Sequence, residues 1–197
     1  MPAVVPTRTS GAARYEVIYD VAYVESRNRL TTLIRMIMMI PHAFVVYVWG
    51  AFAQALALVQ WVIILFTGKR NEELFKLQND YLGYSTRVSS YAELMYDEYP
   101  PFGRDPGATG VAYSLDYSAD ANRLTNALRL IWAIPAMIVA SVLGFAGFFV
   151  IVASWFVILI IGKQPRGLFD FLVKFNRYYA RANSYLLLMT DTYPKYE

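Results

Sequence analysis

The chain has 197 residues, of which 57% are hydrophobic and only 17% are charged, and its net charge is +3. Soluble domains carry about 25% charged residues, so this composition disfavours an ordinary soluble domain. The absence of cysteine excludes disulfides, zinc–thiolate sites and iron–sulfur clusters, and a single histidine excludes histidine-rich metal centres. We therefore expect no cofactor, and the small net charge gives no reason to expect a nucleic-acid partner.

The chain opens with a small, polar, proline-containing segment that predicts a disordered tail over residues 1–13. Two later segments, near residues 15–25 and 111–117, alternate between apolar and polar positions. A period of two favours short strands. A lone strand is unstable, so these strands pair either with each other or with a partner. An extended linker on the membrane surface is the alternative.

Two apolar stretches dominate the composition. Residues 36–66 and 130–162 contain no Asp, Glu, Lys or Arg, and each run exceeds the roughly 18 residues typical of a membrane span. With its flanks, the first stretch would form a helix of roughly 57 Å, nearly twice a ~30 Å hydrocarbon core. Pro41 and Pro135 lie within the first part of each stretch, where proline kinks a helix.

Charge placement helps to choose between one crossing and a hairpin in each unit. Basic residues flank both ends of both stretches, which suits hairpins whose ends face the cytoplasm. Single crossings would invert one unit relative to the other, and inverted units usually carry opposite charge biases. The sequence thus predicts membrane hairpins at about 29–67 and 123–161. Four crossings are expected, with two as the alternative.

An amphipathic helix follows each stretch, at about 71–96 and 165–190. Apolar residues recur there at alternating spacings of three and four, which indicates one apolar seam on a helix. The first seam comprises Leu74, Leu77, Tyr81, Tyr84, Val88, Tyr91 and Met95. These helices are expected at the membrane interface, where the seams lie on the membrane or, as we prefer, pack on each other.

The two halves of the chain are copies of one unit, related by a constant offset of 94 positions. About 30 of 84 aligned positions are identical without a gap, including Arg, Asp, Gly, Lys and Pro. Hydrophobicity alone could not align such residues. The first unit spans 14–102 and the second 111–197, with a linker at 103–110.

Five ionisable residues are candidates for a polar path or a structural site. Arg35 and Arg129 lie immediately before the charge-free runs but inside the longer stretches at about 29–67 and 123–161, where they either snorkel to the interface or face Asp97 and Asp191. The two aspartates equally suit a capping corner at the end of each unit. His42 follows Pro41, but the second unit has alanine at that position, which favours a structural histidine. We expect no catalytic, cofactor-binding or metal-binding residues.

Several motifs resemble a family of bacterial membrane proteins, common in actinobacteria, that is known only as a domain of unknown function. They are Arg29-Leu30, Ile40-Pro41-His42, Trp61 to Gly68, Arg87 to Tyr91, and Asp97 to Phe102. The second unit departs from the pattern because it lacks the histidine and ends in Tyr193-Pro194-Lys195. The resemblance implies a bacterial cell-membrane protein and no particular activity.

Together these features predict an all-α membrane protein of two tandem repeats, each with a strand, a membrane hairpin kinked at proline and an amphipathic interfacial helix. We expect a multi-pass protein of the bacterial membrane, with its basic loops and amphipathic helices on the cytoplasmic side. Membrane lipids and other membrane subunits are the expected partners. A non-enzymatic accessory or scaffold subunit is the leading hypothesis. A small transporter or channel is the alternative, and a lipid-acting enzyme is less favoured.

Overall fold

The structure of the chain, a computed structural model, describes residues 17–107 and 109–196. The tail predicted at 1–13 lies outside the described residues. The fold is mostly helical, and each unit contributes one strand and three helices. In chain order the elements are β1 (Ile18–Val21), α1 (Arg29–Met38), α2 (Ile40–Thr67), α3 (Glu72–Ala92), β2 (Val111–Ser114), α4 (Arg123–Ala127), α5 (Arg129–Ile161) and α6 (Arg166–Leu186).

The hairpin predicted in each apolar stretch is wrong. Helix α2 is continuous over 28 residues and α5 over 33. Each ends where a glycine adopts a left-handed conformation, Gly68 and Gly162, both with φ of 71°. Gly50 and Gly144, in the uncharged middle of the two stretches, lie inside these helices. Four crossings are therefore not supported.

The glycines in the middle of both helices allow close packing of the neighbouring helix. Tyr81 of α3 packs against Gly50, and Phe175 of α6 packs against Gly144 and Gly147. A helix tolerates glycine where a large neighbouring side chain needs the space of the missing Cβ. The prolines also differ between the units: Pro41 lies in the first turn of α2, whereas Pro135 lies inside α5.

Helices α3 and α6 each run antiparallel along the long apolar helix of their own unit. Gln78 of α3 donates from Nε2 to the carbonyl of Ala53 at 3.3 Å. In the second unit the Tyr178 hydroxyl donates to the carbonyl of Ala136 at 3.1 Å. Tyr81 and Tyr178 belong to the predicted seams and contact Gly50 and Ala136, so the seams face the long helices. The two units do pack on each other through α3 and α6, but through different faces of those helices.

The two units exchange elements. Strand β1 pairs antiparallel with β2, with Ile18 opposite Ser114. Helix α1 lies along the end of α5, where Trp155 donates from Nε1 to the Thr32 carbonyl at 3.3 Å. The equivalent contact joins Trp61 of α2 to the Asn126 carbonyl of α4 at 3.0 Å. Each long helix therefore begins beside the end of the other, so α2 and α5 run antiparallel about a pseudo-twofold axis that is perpendicular to them.

The elements form three layers. Strand β1 packs on α6 and β2 on α3, and these two helices pack in turn on α5 and α2. We call the antiparallel pair of β1 and β2 the ribbon. The core lies mainly between the ribbon and the layer formed by α3 and α6, and it includes Tyr19, Leu82, Tyr91, Leu115 and Leu172. The outer side of α2 and α5 contributes little to this core. Those two helices form one exposed face of the molecule.

The tight packing at Gly50 makes a first prediction. A Cβ added at Gly50 would lie 2.8 Å from the Tyr81 hydroxyl oxygen, whereas one at Gly144 would lie 3.9 Å from Phe175. Alanine gains up to about 1 kcal/mol over glycine inside a helix. We expect Gly144→Ala to raise the unfolding temperature measured in detergent. We expect Gly50→Ala to unfold at a lower temperature than Gly144→Ala does. Tyr81→Phe should rescue Gly50→Ala, and equal behaviour of the two alanine variants would contradict the packing described.

Candidate functional site

Both units end in a tight turn built around a leucine. Leu94 and Leu188 follow α3 and α6 with φ of 65° and 63°, in the left-handed region that β-carbons disfavour. The amide of Met95 donates to the Ser90 carbonyl at 3.0 Å, and Met189 repeats this bond to Ser184. We call residues 93–97 and 187–191 the closing turns. Each is buried, so its remaining carbonyls need donors from elsewhere.

Arg35 supplies those donors in the first unit. Its Nη1 donates to the carbonyls of Tyr91 and Tyr96 at 2.6 and 2.7 Å, and its Nη2 donates to Asp97 Oδ1 at 2.8 Å. The guanidinium stacks over the Tyr91 ring at 4.2 Å. The other carboxylate oxygen of Asp97 accepts from the Asn28 amide, at the start of α1. The first clamp, Arg35 with Asp97, thus joins both ends of the unit.

Arg129 forms the second clamp with Asp191. Its Nη2 donates to Asp191 Oδ1 at 2.7 Å and its Nη1 to the Thr190 carbonyl at 3.0 Å. Burial alone would raise the pKa of Asp191. The hydrogen bond from the Asn122 amide, together with the charge of Arg70, brings that pKa below its ordinary value. The carboxylate is therefore held ionised.

The predicted site residues are thus brought together in two equivalent pairs rather than along one path. Arg35 and Arg129 are each 2% exposed, so neither snorkels to a surface. His42 is also buried, but it lies apart from the aspartates. Its Nδ1 shares a hydrogen bond with the Tyr84 hydroxyl at 2.6 Å, and its ring stacks on Phe102 with centroids 4.2 Å apart.

A further arginine serves each closing turn, and the sequence analysis missed both. Arg70 crosses from the first unit to the second: its Nε donates to the Leu188 carbonyl at 2.7 Å and its Nη2 lies 2.6 Å from Asp191 Oδ1. In the first closing turn, Arg27 donates from Nη2 to the Met95 carbonyl at 2.5 Å and from Nε to Gln164 Oε1 at 3.1 Å.

The two arginines occupy different sequence positions. The offset of 94 relates Arg70 to Gln164 and Arg27 to Ala121. Each closing turn therefore receives one extra guanidinium: Arg27 bonds to the turn of its own unit, whereas Arg70 bonds to the turn of the other unit. A comparison of identical positions hides this exchange, since neither arginine is conserved between the repeats. The signal in the sequence is that each of the two equivalent pairs of positions, 27 with 121 and 70 with 164, contains one arginine.

A buried carboxyl group marks a second difference between the units. Glu93 accepts a hydrogen bond from Asn176 Nδ2, across the contact between α3 and α6. Burial raises the pKa of Glu93 to about 8, and the hydrogen bond from Asn176 opposes the rise. At the equivalent positions of the other unit, Leu187 corresponds to Glu93 and Leu82 corresponds to Asn176, and both leucines are apolar. The fold therefore accepts either a polar or an apolar pair at this contact.

Within the described residues, α2 and α5 are long and apolar enough to cross a membrane, judged by length and composition. In their most apolar 18-residue windows, only 28% and 17% of the residues are buried inside the protein. A core helix of a soluble protein would be mostly buried.

An open groove of about 490 Å³ lies between α2, the start of α5 and the end of α6, and its lining is mostly apolar. Over 17–107 and 109–196, no group of three or more His, Asp or Glu side chains could hold a metal ion.

The architecture defines a class: a duplicated, mostly helical protein whose units exchange strands and helix ends, and whose two long helices could span a membrane. The chain belongs to the family described as a domain of unknown function, DUF4389, which matches it twice, at residues 29–103 and 123–196. The two matches coincide with the two units. No curated protein and no solved structure matches the chain.

The first clamp predicts an asymmetric response to mutation. Arg35→Leu should destabilise the protein by about 3–5 kcal/mol, because buried carbonyls and Asp97 lose their donor. Asp97→Asn should cost less, about 1–3 kcal/mol, because its side chain is 27% exposed and asparagine still accepts a hydrogen bond. The reversed pair Arg35→Asp/Asp97→Arg should not recover stability, because aspartate cannot donate to the Tyr91 and Tyr96 carbonyls. Recovery, measured by thermal unfolding in detergent, would contradict the clamp.

The exchange of Arg70 and Arg27 between units predicts a specific rescue. Arg70→Gln should destabilise the second closing turn by about 1–3 kcal/mol. Adding Ala121→Arg to that variant recreates the arrangement of Arg27 with Gln164, and should restore part of the loss. Ala121→Arg in the otherwise unchanged chain is the matched control and should not stabilise it. Additive damage in the double variant would show that the two arrangements are not equivalent.

Glu93 predicts a pH dependence of stability. Because its folded-state pKa is raised to about 8 from 4.5, the folded protein keeps a proton that the unfolded chain releases. The free energy of unfolding should therefore fall as pH rises between about 4.5 and 8. Glu93→Gln should show a smaller fall over this range in thermal unfolding. An identical pH profile for both proteins would show that the carboxyl does not titrate as described.

Proposed function

We propose that this protein is a non-enzymatic accessory or scaffold subunit of a larger complex in the bacterial cell membrane. The observation that carries the proposal is that the layers of the protein differ in chemical character and in exposure. The buried ionic groups of both clamps hold closing turns and the contact between units. The apolar face of α2 and α5 is available to lipid, and the ribbon on the opposite side is available to a partner.

The ribbon offers a specific way to bind another protein. It has two strands, and no other strand of the described chain covers their outer edges. On β1 the Tyr19 carbonyl accepts from Arg177 Nε and the Val21 amide donates to Asp20 Oδ1, so the outer edge of β2 is the one offered to a partner. An extended segment of a partner can add to such an edge through main-chain hydrogen bonds. We place this layer on the cytoplasmic side, together with the basic ends of the long helices.

A small transporter or channel is the competing function. Such a protein needs polar groups along a path that ions or solutes can occupy. The guanidinium groups of Arg35 and Arg129 are instead bonded to carbonyls and aspartates at opposite ends of the molecule. This arrangement supports the accessory role over transport.

The test uses photo-crosslinking amino acids in the native host at native abundance. Placed at Ile18 and Ser114, both exposed on the ribbon, they should capture one defined membrane protein in stoichiometric yield, identified by mass spectrometry. The matched control is Phe66, which is 79% exposed on the apolar face and should capture lipid instead. Purification of the chain alone, or crosslinked only to itself, would contradict the accessory role.

A further inference from the structure

Most of the exposed apolar surface lies on one side of the long helices, apart from Trp132 and Val139 near the start of α5. Phe44, Val48, Phe52, Val59 and Phe66 of α2 are all exposed and recur at spacings of four and seven, so they share one face of the helix. The opposite face is buried against α3, and α5 shows the same division against α6. Lipid can therefore contact these helices from one side, while the second layer covers the other.

Charged side chains lie level with the middle of the long helices. Lys174 of α6 is exposed and precedes Phe175, which packs on Gly144 and Gly147 near the middle of α5. On the first unit, Asp80 pairs with Arg104 at 2.7 Å, next to Tyr81 on the middle of α2. If α2 and α5 crossed a bilayer upright, these charges would lie near its centre, where charged groups are costly.

The basic residues at the helix ends lead to the same conclusion. Lys69 lies just beyond the end of α2 and Lys163 just beyond the end of α5, and both lysines are exposed. Because the helices are antiparallel, the two lysines lie at opposite ends of the molecule. Arg123 lies beside Gly68 and Arg29 beside Gly162, so each end carries equal basic charge. A crossing protein favours positive charge on one side of the membrane, and these ends show no such bias.

We infer that the protein lies flat in one leaflet of the membrane, with α2 and α5 parallel to the bilayer plane and their apolar side towards the acyl chains, and does not cross the bilayer. The inference rests on the membrane association proposed above. In this orientation the pseudo-twofold axis stands along the membrane normal. Every basic helix end then reaches the same headgroup surface, where anionic lipids attract it.

Helix length is also consistent with this placement. At 1.5 Å per residue, α2 measures about 42 Å and α5 about 50 Å, both longer than a hydrocarbon core of ~30 Å. A helix that lies in the membrane plane has no such limit on its length. The strands and the charged side of α3 and α6 then face water, as the exposed Lys174 of α6 and the exposed Arg104 of the linker, which pairs with Asp80 of α3, require.

The chain contains no cysteine, so single cysteines can report on accessibility directly. Lys69→Cys and Lys163→Cys form a matched pair, because the repeat gives both the same position after a left-handed glycine. Right-side-out and inside-out membrane vesicles are treated with a membrane-impermeant maleimide. We expect both cysteines, and also Lys174→Cys, to be labelled in the same type of vesicle and in no other until detergent is added. Labelling of the pair from opposite sides, or of either member from both sides, would overturn the inference.

Two further experiments distinguish a failure of this inference from a failure of the proposed function: labelling of Phe52→Cys, and sedimentation of the membranes. Phe52→Cys should resist the reagent in both vesicle types, and labelling as complete as that of Lys174→Cys would overturn the flat placement. The chain should remain in the membrane pellet after a carbonate wash. Recovery in the supernatant would refute membrane association and with it the proposed function. Retention in the pellet with opposite labelling of the pair would refute the flat placement alone.

Discussion

Buried backbone carbonyls at the two closing turns set the constraint on which this fold depends. A helix end leaves its last carbonyls without partners inside the helix, and a buried carbonyl without a donor is costly. Arg35 and Arg129 each reach such carbonyls from a helix at the start of the unit, while an aspartate neutralises the charge. Guanidinium suits the task because it presents five donors in a rigid plane and stays charged when buried.

Backbone hydrogen bonds between the units make them intertwined. The extended chain before α1 bonds to the second unit, since the Arg27 amide donates to the Gly162 carbonyl at 2.9 Å. The chain before α4 returns the contact, with the Ala121 amide bonded to the Gly68 carbonyl at 3.0 Å. Each unit thus completes the helix end of the other. Two arginines extend this mutual support to the closing turns. Arg27 bonds to the first closing turn and Arg70 bonds to the second.

Much of the architecture followed from the sequence, because period and offset are local properties of the chain. The constant offset found the two units, and the family matches at 29–103 and 123–196 agree with a duplication. The number of helices in each apolar stretch could not be read in the same way. Basic residues at both ends of a run fit a hairpin, and they fit equally well one continuous helix that lies in the membrane plane.

The candidate site was predictable only in part, for a related reason. Arg35, Asp97 and their counterparts stood out because both units keep them. Arg27, Arg70 and the pair of Glu93 with Asn176 did not, because each occurs once and acts across the contact between units. A single sequence shows which residues recur, but it does not show which residues replace one another across a pseudo-twofold axis. The exchange becomes visible only when the two halves are placed in space.

Dividing the chain in its linker tests mutual completion of the units most directly. Residues 1–105 and 106–197 would be expressed as two chains, separately and together, and examined for mass and cooperative unfolding in detergent. Mutual completion predicts a one-to-one complex on co-expression and no folded monomer of either half. The second half alone should also fail to form a stable pair with itself, because Ala121 and Gln164 provide neither of the exchanged arginines. A cooperatively folded monomer of either half would contradict the account.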